Sequence, residues 1–212
     1  MERVRISYDA VAERYAAELA DELEHKPLER ALLRCFAELT AHVDGPVADL
    51  GCGPGHVTHH LSDLGCDAYG LDLSPRMVEI ARTRFPGLRF EVGSMLDLPV
   101  DGGWAGAVAL YSIIHLDPGE RVTAYKELAR VIRSGGWLLV GFHVSDAEHT
   151  AGQAKHLTEW WEQPVDIDTH FLDPDEVAAD LAADGFTITA RLVREPRPGE
   201  YPSRRCYLLA YR

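Results

Sequence analysis

The segment Val47–Thr58, VADLGCGPGHVT, places glycine at three alternate positions between an apolar run and the start of a predicted helix. Glycine adopts left-handed backbone angles that other residues avoid, and it lets a ligand approach the main chain closely. One glycine suffices for a tight strand-to-helix turn, so three indicate a turn that is built against a ligand. The free N–H groups at the helix start favour a carboxylate or a phosphate group there.

Short apolar runs alternate with helically spaced segments along most of the chain, which is typical of a parallel sheet covered on both faces. Strands are predicted at 47–50, 67–71, 88–92, 105–111 and 137–143, with helices at 55–64, 74–85, 118–132 and 173–184. Two further helices are predicted near the N-terminus, at about 5–20 and 27–42. Segments 186–194 and 205–211 form a predicted antiparallel hairpin that adds one antiparallel strand to the sheet.

Length and charge restrict the function classes. The chain has 212 residues and a formal net charge of −13, which predicts a single domain (1–212) and disfavours nucleic acids and anionic membranes as partners. No signal peptide or membrane-length apolar run is present, and the four cysteines lack paired spacing. We expect a cytoplasmic protein that is a monomer or a homodimer.

The third glycine distinguishes two kinds of nucleotide-binding turn. A dinucleotide-binding G-x-G-x-x-G turn requires glycine at position 56, which is His56 here. The segment DLGCGPG instead resembles motif I of class I S-adenosylmethionine-dependent methyltransferases. The resemblance implies that Asp49 lies near the methionine part of the cofactor. The turn residues that it implies against the cofactor are Gly51, Cys52, Gly53 and Gly55.

Later motifs extend this resemblance, in order, across nearly the whole chain. Asp72 follows the second predicted strand, where a carboxylate accepts hydrogen bonds from both ribose hydroxyls. By the same resemblance, Leu73 and Met77 flank the adenine, with core packing as an alternative for Met77. The family often has Gly-Asp after the third strand, whereas this chain has Gly93-Ser94, so Ser94 or the Met95 backbone takes the adenine contact.

The resemblance also implies a fold and an activity. The fold is a Rossmann-like, doubly wound sheet of about seven strands, with an N-terminal helical cap (1–42) and a lid insertion (145–172) after the fifth strand. Tyr8 and Tyr15 in the first helix close over the cofactor, or else form a helix-packing stripe. Tyr111, which ends the fourth strand, is a further expected cofactor contact. The implied cofactor is S-adenosylmethionine, with S-adenosylhomocysteine as product. The implied enzyme is a bacterial methyltransferase that acts on an oxygen or nitrogen of a small molecule.

Two histidines are candidates for catalysis, because they follow neighbouring strands. His115 comes after the fourth strand and is the candidate base or acceptor contact, and His143 closes the fifth. His56 and His60 have chelating i, i+4 spacing, but no acid completes a ligand set, so we predict no metal site.

The lid segment contains Trp160 and Trp161, which favour a planar or apolar acceptor or else anchor the lid. The predicted pocket also includes Glu200, Tyr201 and Arg204. The arginines between positions 191 and 205 are interpreted as a solvated edge, with a grip on an anionic group as the alternative.

Two other functions remain open at this point. One is an NAD-linked oxidoreductase, and the other is a non-catalytic S-adenosylmethionine-binding module, since methyl transfer has no obligatory catalytic residue. A nucleic-acid methyltransferase is disfavoured because residues 111–114 read YSII and the chain lacks a basic face.

Overall fold

The computed structural model describes all 212 residues. Its six α-helices are α1 (Glu2–Glu18), α2 (Pro27–Thr40), α3 (His56–Asp63), α4 (Pro75–Arg84), α5 (Pro118–Val131) and α6 (Pro174–Ala183). Two short 3₁₀ helices span Glu22–His25 and Ile113–His115. The strands are β1 (Val47–Leu50), β2 (Ala68–Asp72), β3 (Arg89–Val92), β4 (Trp104–Leu110), β5 (Ile132–Ser145), β6 (Ala154–Trp160), β7 (Gln163–His170), β8 (Thr187–Arg194) and β9 (Arg204–Tyr211).

Seven of the strands form one sheet in the order β3-β2-β1-β4-β5-β9-β8. β1 to β5 pair in parallel, whereas β9 is antiparallel to both β5 and β8. The predicted doubly wound, Rossmann-like α/β sheet with one antiparallel strand is therefore confirmed. Strand order reverses beside β1 and β4, and ligands bind at such a reversal, beyond the carboxyl ends of the strands.

The sheet buries both of its faces, and alternate residues of the central strands point to opposite sides. In β5, Leu138 and Val140 belong to the core that contains side chains of α5 and α6. Leu139 between them belongs to the core that contains side chains of α2 and α3. Continuous apolar runs at 104–110 and 137–142 follow from this two-sided burial.

Local signals set where the helices begin. Ser74 is the predicted N-cap of α4, and its hydroxyl accepts a hydrogen bond from the Met77 N–H at 3.1 Å. Asp117 and Glu120 form a reciprocal capping box at the start of α5. Both caps precede a proline at the first helical position.

The predicted lid segment contains secondary structure that the sequence analysis did not assign. Residues 154–170 form an antiparallel hairpin of β6 and β7, separate from the main sheet. Strand β5 also begins at Ile132, so Gly135 and Gly136 lie inside a strand where a loop was expected. The hairpin packs on α1 through Val11, Val165 and Ile167.

The α1–hairpin layer lies beside the carboxyl ends of the parallel strands. Tyr8 of α1, His115 after β4 and Ile167 of β7 line one cavity. None of the helices combines the length and the apolar character needed to span a membrane.

Candidate active site

The glycine turn after β1 adopts the left-handed conformations that its sequence predicts. Gly51, Gly53 and Gly55 have φ values of 74°, 52° and 87°. A Cβ on Gly51 would lie 2.4 Å from the Ser112 Cβ, and a Cβ on Gly55 would lie 2.8 Å from the Phe90 ring. On Gly53 the nearest atom would be a Tyr15 ring carbon at 3.7 Å, an ordinary contact distance, so a Cβ would not clash here.

Asp72 ties the end of β2 to this turn. One carboxylate oxygen accepts the Gly53 N–H at 2.8 Å, and the other accepts the Ser74 N–H at 2.8 Å. Burial raises the pKa of Asp72 to about 6, although both N–H groups favour the ionised form. Each oxygen keeps one lone pair, so the carboxylate has room for two further donors.

Asp49 and Cys52 line the larger cavity and also hold the turn. Asp49 is 3% exposed and accepts a hydrogen bond from the Thr58 hydroxyl at 2.7 Å, which joins β1 to α3. Burial raises the pKa of Asp49 to about 6. Cys52 packs with Phe90, and Gly55 contributes to neither cavity described below. The implied cofactor contact of Gly55 therefore stays a prediction, whereas its packing role is visible.

Two cavities lie beyond the strand ends. The larger has a volume of about 990 Å³ and the smaller about 80 Å³. They share a wall, which is formed by Tyr8, Tyr15, Gly51, Gly53, Leu110, Tyr111 and His115.

The smaller cavity collects the residues that the resemblance assigns to the ribose and adenine, together with one that sequence reasoning missed. Its lining includes Asp72, Leu73, Met77, Gly93, Ser94, Met95 and Ser112. The hydroxyl oxygen of Ser112 is buried without a hydrogen-bond partner. Ser112 directly follows Tyr111 at the end of a strand, and this position alone could have predicted that Ser112 lies at the site.

His115 is held at both ring nitrogens. Its Nδ1 lies 3.0 Å from the carbonyl oxygen of Asp168 on β7, so Nδ1 carries the proton and donates. Its Nε2 lies 2.8 Å from the Tyr8 hydroxyl, which therefore donates to Nε2. Burial lowers the pKa of His115, so the ring is neutral. Both the hairpin and α1 thus orient this histidine.

His143 borders only the larger cavity. Its Nδ1 lies 2.6 Å from the Ser203 hydroxyl, and its ring packs against Tyr111 at 5.0 Å between centroids. Burial lowers the pKa of His143 to about 3, reinforced by the positive charges of Arg205 and Lys26. The ring is therefore a neutral hydrogen-bonding group rather than a proton acceptor near neutral pH.

Tyr111, between the two histidines, has an unusual backbone conformation. Its φ of 58° is rare for a residue with a side chain, and its N–H donates to the Gly141 oxygen at 2.7 Å. Its hydroxyl contacts that of Tyr207. Such strain persists where the surroundings determine it, and it is frequent at functional sites.

The arginine segment is only in part the solvated edge that the sequence predicts, since Arg191, Arg197 and Arg204 are exposed. Arg194 and Arg205 are buried and share Glu200, and Arg194 also pairs with Glu29 of α2. Arg204 is exposed, pairs with Glu195 and does not line the cavity, whereas Arg205 does. The structure thus corrects the expected position of Arg204 by one residue. Glu200 and Tyr201 line the larger cavity as predicted.

No group of three or more histidine, cysteine, aspartate or glutamate side chains is arranged to hold a metal ion. His56, one of the two histidines with chelating spacing, contacts Glu22 at 3.1 Å instead.

Comparison with known proteins assigns the domain. Residues 47–136 match the family described as methyltransferase domain. This range includes the glycine turn, Asp72 and His115. This part of the chain is a methyltransferase domain, in agreement with the resemblance of its motifs.

Sequence similarity to curated methyltransferases extends over part of the chain. An uncharacterized methyltransferase of Mycobacterium bovis is 33% identical over 101 residues, or 47% of this chain. The alignment spans about two fifths of that relative's length (40%).

Solved structures share the fold over more of the chain. The glycopeptide N-methyltransferase MtfA, complexed with S-adenosyl-L-methionine, has a TM-score of 0.68 and 22% identity, covering 86% of this chain and 93% of MtfA. The [4+2]-cyclase SpnF has a TM-score of 0.70 and 18% identity, covering 99% of this chain and 95% of SpnF. The methyltransferase fold thus also occurs in a protein named for another reaction.

Proposed function

We propose that this protein transfers a methyl group from S-adenosylmethionine to an oxygen or nitrogen atom of a small-molecule acceptor. The observation that carries the proposal is the arrangement around Asp72. Its carboxylate is tied to the glycine turn, lines the smaller cavity and retains lone pairs for two donors. The larger, aromatic cavity shares a wall with this site, so cofactor and acceptor have adjoining spaces.

The residues present fit the cofactor. Asp72 would accept both ribose hydroxyls, and Leu73 and Met77 would flank the adenine. The turn at Gly53 lacks a side chain where the cavities meet, and the buried Ser112 hydroxyl still needs a partner. S-adenosylmethionine supplies an activated, electrophilic methyl group when bound, so the protein's tasks are to position the acceptor, exclude water and remove a proton.

Tyr8 and His115 provide a route for that proton. The Tyr8 hydroxyl lies on the shared wall and donates to His115 Nε2 at 2.8 Å. An acceptor proton passes to the Tyr8 oxygen as the Tyr8 proton passes to Nε2. The Asp168 carbonyl oxygen accepts a hydrogen bond from the Nδ1–H group and so stabilises the positively charged ring that results. His115 is thus the base, reached through Tyr8.

His143 has a different role in this proposal. Because its ring stays neutral and lines only the larger cavity, it orients the acceptor by hydrogen bonding. The β6–β7 hairpin covers the same cavity with Trp160 and Trp161, which stack on each other at 4.7 Å. The hairpin is therefore proposed as the acceptor lid, and its surface suits a planar or apolar molecule.

The proposal is tested by turnover and binding. The purified protein is incubated with S-adenosylmethionine and a library of phenols, amines and carboxylic acids, and S-adenosylhomocysteine formation is measured. We expect product with some of these acceptors and micromolar binding of S-adenosylhomocysteine by calorimetry. Cofactor binding without turnover would support the non-catalytic module, and binding of NAD instead would support an oxidoreductase.

The proton route predicts the effect of Tyr8→Phe, which removes one hydroxyl and keeps the ring. The methylation rate should fall by about 10²-fold, the usual contribution of general base catalysis, whereas S-adenosylhomocysteine affinity should stay nearly constant. His115→Ala should lower the rate similarly.

The matched control is Tyr125→Phe, because the Tyr125 hydroxyl is buried without a partner and lines neither cavity. An unchanged rate in Tyr8→Phe would contradict the relay. Equal losses of rate and cofactor affinity would instead assign Tyr8 and His115 a structural role.

A further inference from the structure

The larger cavity has a cationic part that the cofactor site does not share. Lys26, Arg205 and Lys155 line the larger cavity and not the smaller one. They come from the start of α2, from β9 and from the lid hairpin. Because they are far apart in the sequence, no local pattern predicts that they line the same cavity. This part is lined by His143 and Tyr201 as well.

Arg205 is fixed but not saturated. It is 3% exposed, and its Nη atoms donate to Glu200 at 2.8 Å, to the Ser203 oxygen at 3.2 Å and to the Tyr201 oxygen at 2.9 Å. Its Nε is buried and has no partner. A buried guanidinium with an unused N–H is unusual, because most buried polar groups are paired.

Lys26 and Arg205 lie near the same aromatic ring. The Lys26 Nζ is 5.5 Å and the Arg205 guanidinium carbon 6.0 Å from the centroid of Tyr111, which belongs to the shared wall. Lys155 adds a third charge. Its Nζ contacts the Tyr201 hydroxyl at 3.2 Å and has no carboxylate within ion-pair distance.

Three of the acids that line the larger cavity are already paired. Glu22 contacts Lys26 and His56, Glu29 pairs with Arg194, and Glu200 pairs with both arginines. Burial and the positive charges of Arg205 and Lys26 lower the pKa of His143, against the opposite effect of Asp146. Both cations therefore act on this part of the cavity, and a negative charge placed beside them would be stabilised.

Resting on the proposed methyl transfer, we propose that the acceptor is a small carboxylic acid. Its carboxylate binds among Lys26, Arg205 and Lys155, and its methyl-accepting atom faces Tyr8 and Tyr111 at the shared wall. The aromatic lining, with Trp160 and Tyr201, takes the apolar body of the molecule. A carboxylate fits better than a phosphate, because Arg205 and Lys26 are partly neutralised by Glu200 and Glu22.

The test compares acids with their neutral amides. Benzoate, 4-hydroxybenzoate and indole-3-acetate are titrated against benzamide, 4-hydroxybenzamide and indole-3-acetamide, using protein saturated with S-adenosylhomocysteine and calorimetric detection. We expect at least one acid to bind about tenfold more tightly than its amide, as charge-assisted hydrogen bonds require. Inorganic phosphate is the competing oxyanion and should bind more weakly than that acid.

Arg205→Gln would disturb the buried ion pair with Glu200. The two lysines are therefore substituted instead. Lys26→Gln and Lys155→Gln should each weaken binding of the acid by about threefold or more and leave the amide unchanged. Lys126→Gln is the matched control, because Lys126 is an exposed lysine of α5 that lines neither cavity.

Three outcomes would overturn the inference: equal binding of acids and amides, no acid binding up to about 10 mM, or tighter binding of phosphate. Unchanged acid binding in both lysine variants would do the same. Failure of S-adenosylhomocysteine to bind in the first step would instead contradict the proposed methyltransferase function.

Discussion

At the scale of single residues, Asp72 shows how a site is tuned by its surroundings. Burial raises its pKa, and that of Asp49, to about 6, above the ordinary value of 3.8. The folded protein therefore holds protons between about pH 4 and pH 6 that the unfolded chain has released. The stability from these two groups is full below about pH 4 and is lost as the pH rises through about 6. Ionised carboxylates thus lower the stability of the empty site.

This pKa predicts the pH dependence of cofactor binding. Only the ionised Asp72 accepts hydrogen bonds at both oxygens, and its ionised fraction falls about tenfold between pH 7 and pH 5 for a pKa of about 6. The affinity for S-adenosylhomocysteine should fall about as much, measured by calorimetry. Asp72→Asn should bind at least tenfold more weakly at pH 7, with little further loss at pH 5.

Asp97→Asn is the matched control, since Asp97 is an exposed acid just after β3 and lines neither cavity. Its binding should follow the pH dependence of the unaltered protein. Unchanged affinity in Asp72→Asn, or an affinity that does not vary between pH 5 and pH 7, would contradict the role of Asp72 in holding the ribose.

At the scale of elements, the β6–β7 hairpin depends on α1. A two-stranded ribbon is only marginally stable by itself. Here Val165 and Ile167 pack on Val11, the Asp166 N–H donates to the Ser7 hydroxyl at 2.8 Å, and Arg3 contacts Asp166 at 3.1 Å. Since the hairpin also supplies the carbonyl that orients His115, its docking and the proton route are linked.

Ile167→Ala tests this dependence, because Ile167 is 1% exposed between the hairpin and α1. Such truncations cost about 2–5 kcal/mol, and the other contacts named above that hold the hairpin on α1 are polar. Amide hydrogen exchange should accelerate across residues 154–170 while β4 remains protected. Thr158→Ala, at an exposed position of β6, should leave the amide exchange of both the hairpin and β4 unchanged. Equal acceleration in β4 would mean that the hairpin unfolds only with the whole domain.

At the scale of the whole molecule, a buried ion network joins the two ends of the chain. Glu29 of α2 accepts a hydrogen bond from the Tyr207 hydroxyl of β9 at 2.5 Å and pairs with Arg194 of β8. Glu200 pairs with Arg194 at 2.7 Å. The network holds the antiparallel end of the sheet against the N-terminal helices and forms one side of the larger cavity.

Glu29→Gln should destabilise the protein by about 3 kcal/mol, because it leaves a buried arginine charge only partly compensated. Urea unfolding would measure the change. Glu195→Gln is the control, since Glu195 makes an exposed pair with Arg204 and should contribute less than about 1 kcal/mol. If both variants lost equally little free energy of unfolding, Glu200 alone would compensate the charge of Arg194.

Prediction from sequence succeeded where the determining interactions are local. Apolar periodicity, the Ser74 cap and the positive-φ glycines located the elements of the main sheet within a few residues. The hairpin was missed because its strands are half exposed and carry short, mixed patterns, with the turn at Trp161 and Glu162 lacking glycine. The sequence analysis did not predict that Arg205 and Lys26 line the same cavity, because no local pattern relates positions so far apart in the chain.

By itself, the sequence determined the doubly wound sheet, the glycine turn and the acid that ends β2, because each depends on a residue's own backbone preferences and on neighbours along the chain. Only the tertiary structure decided that Tyr8 and the hairpin carbonyl hold His115, and that Lys26, Arg205 and Lys155 meet in one cavity. These contacts join α1 or α2 to the second half of the chain. Burial and pairing of charge, which set their chemistry, exist only once the layers have packed.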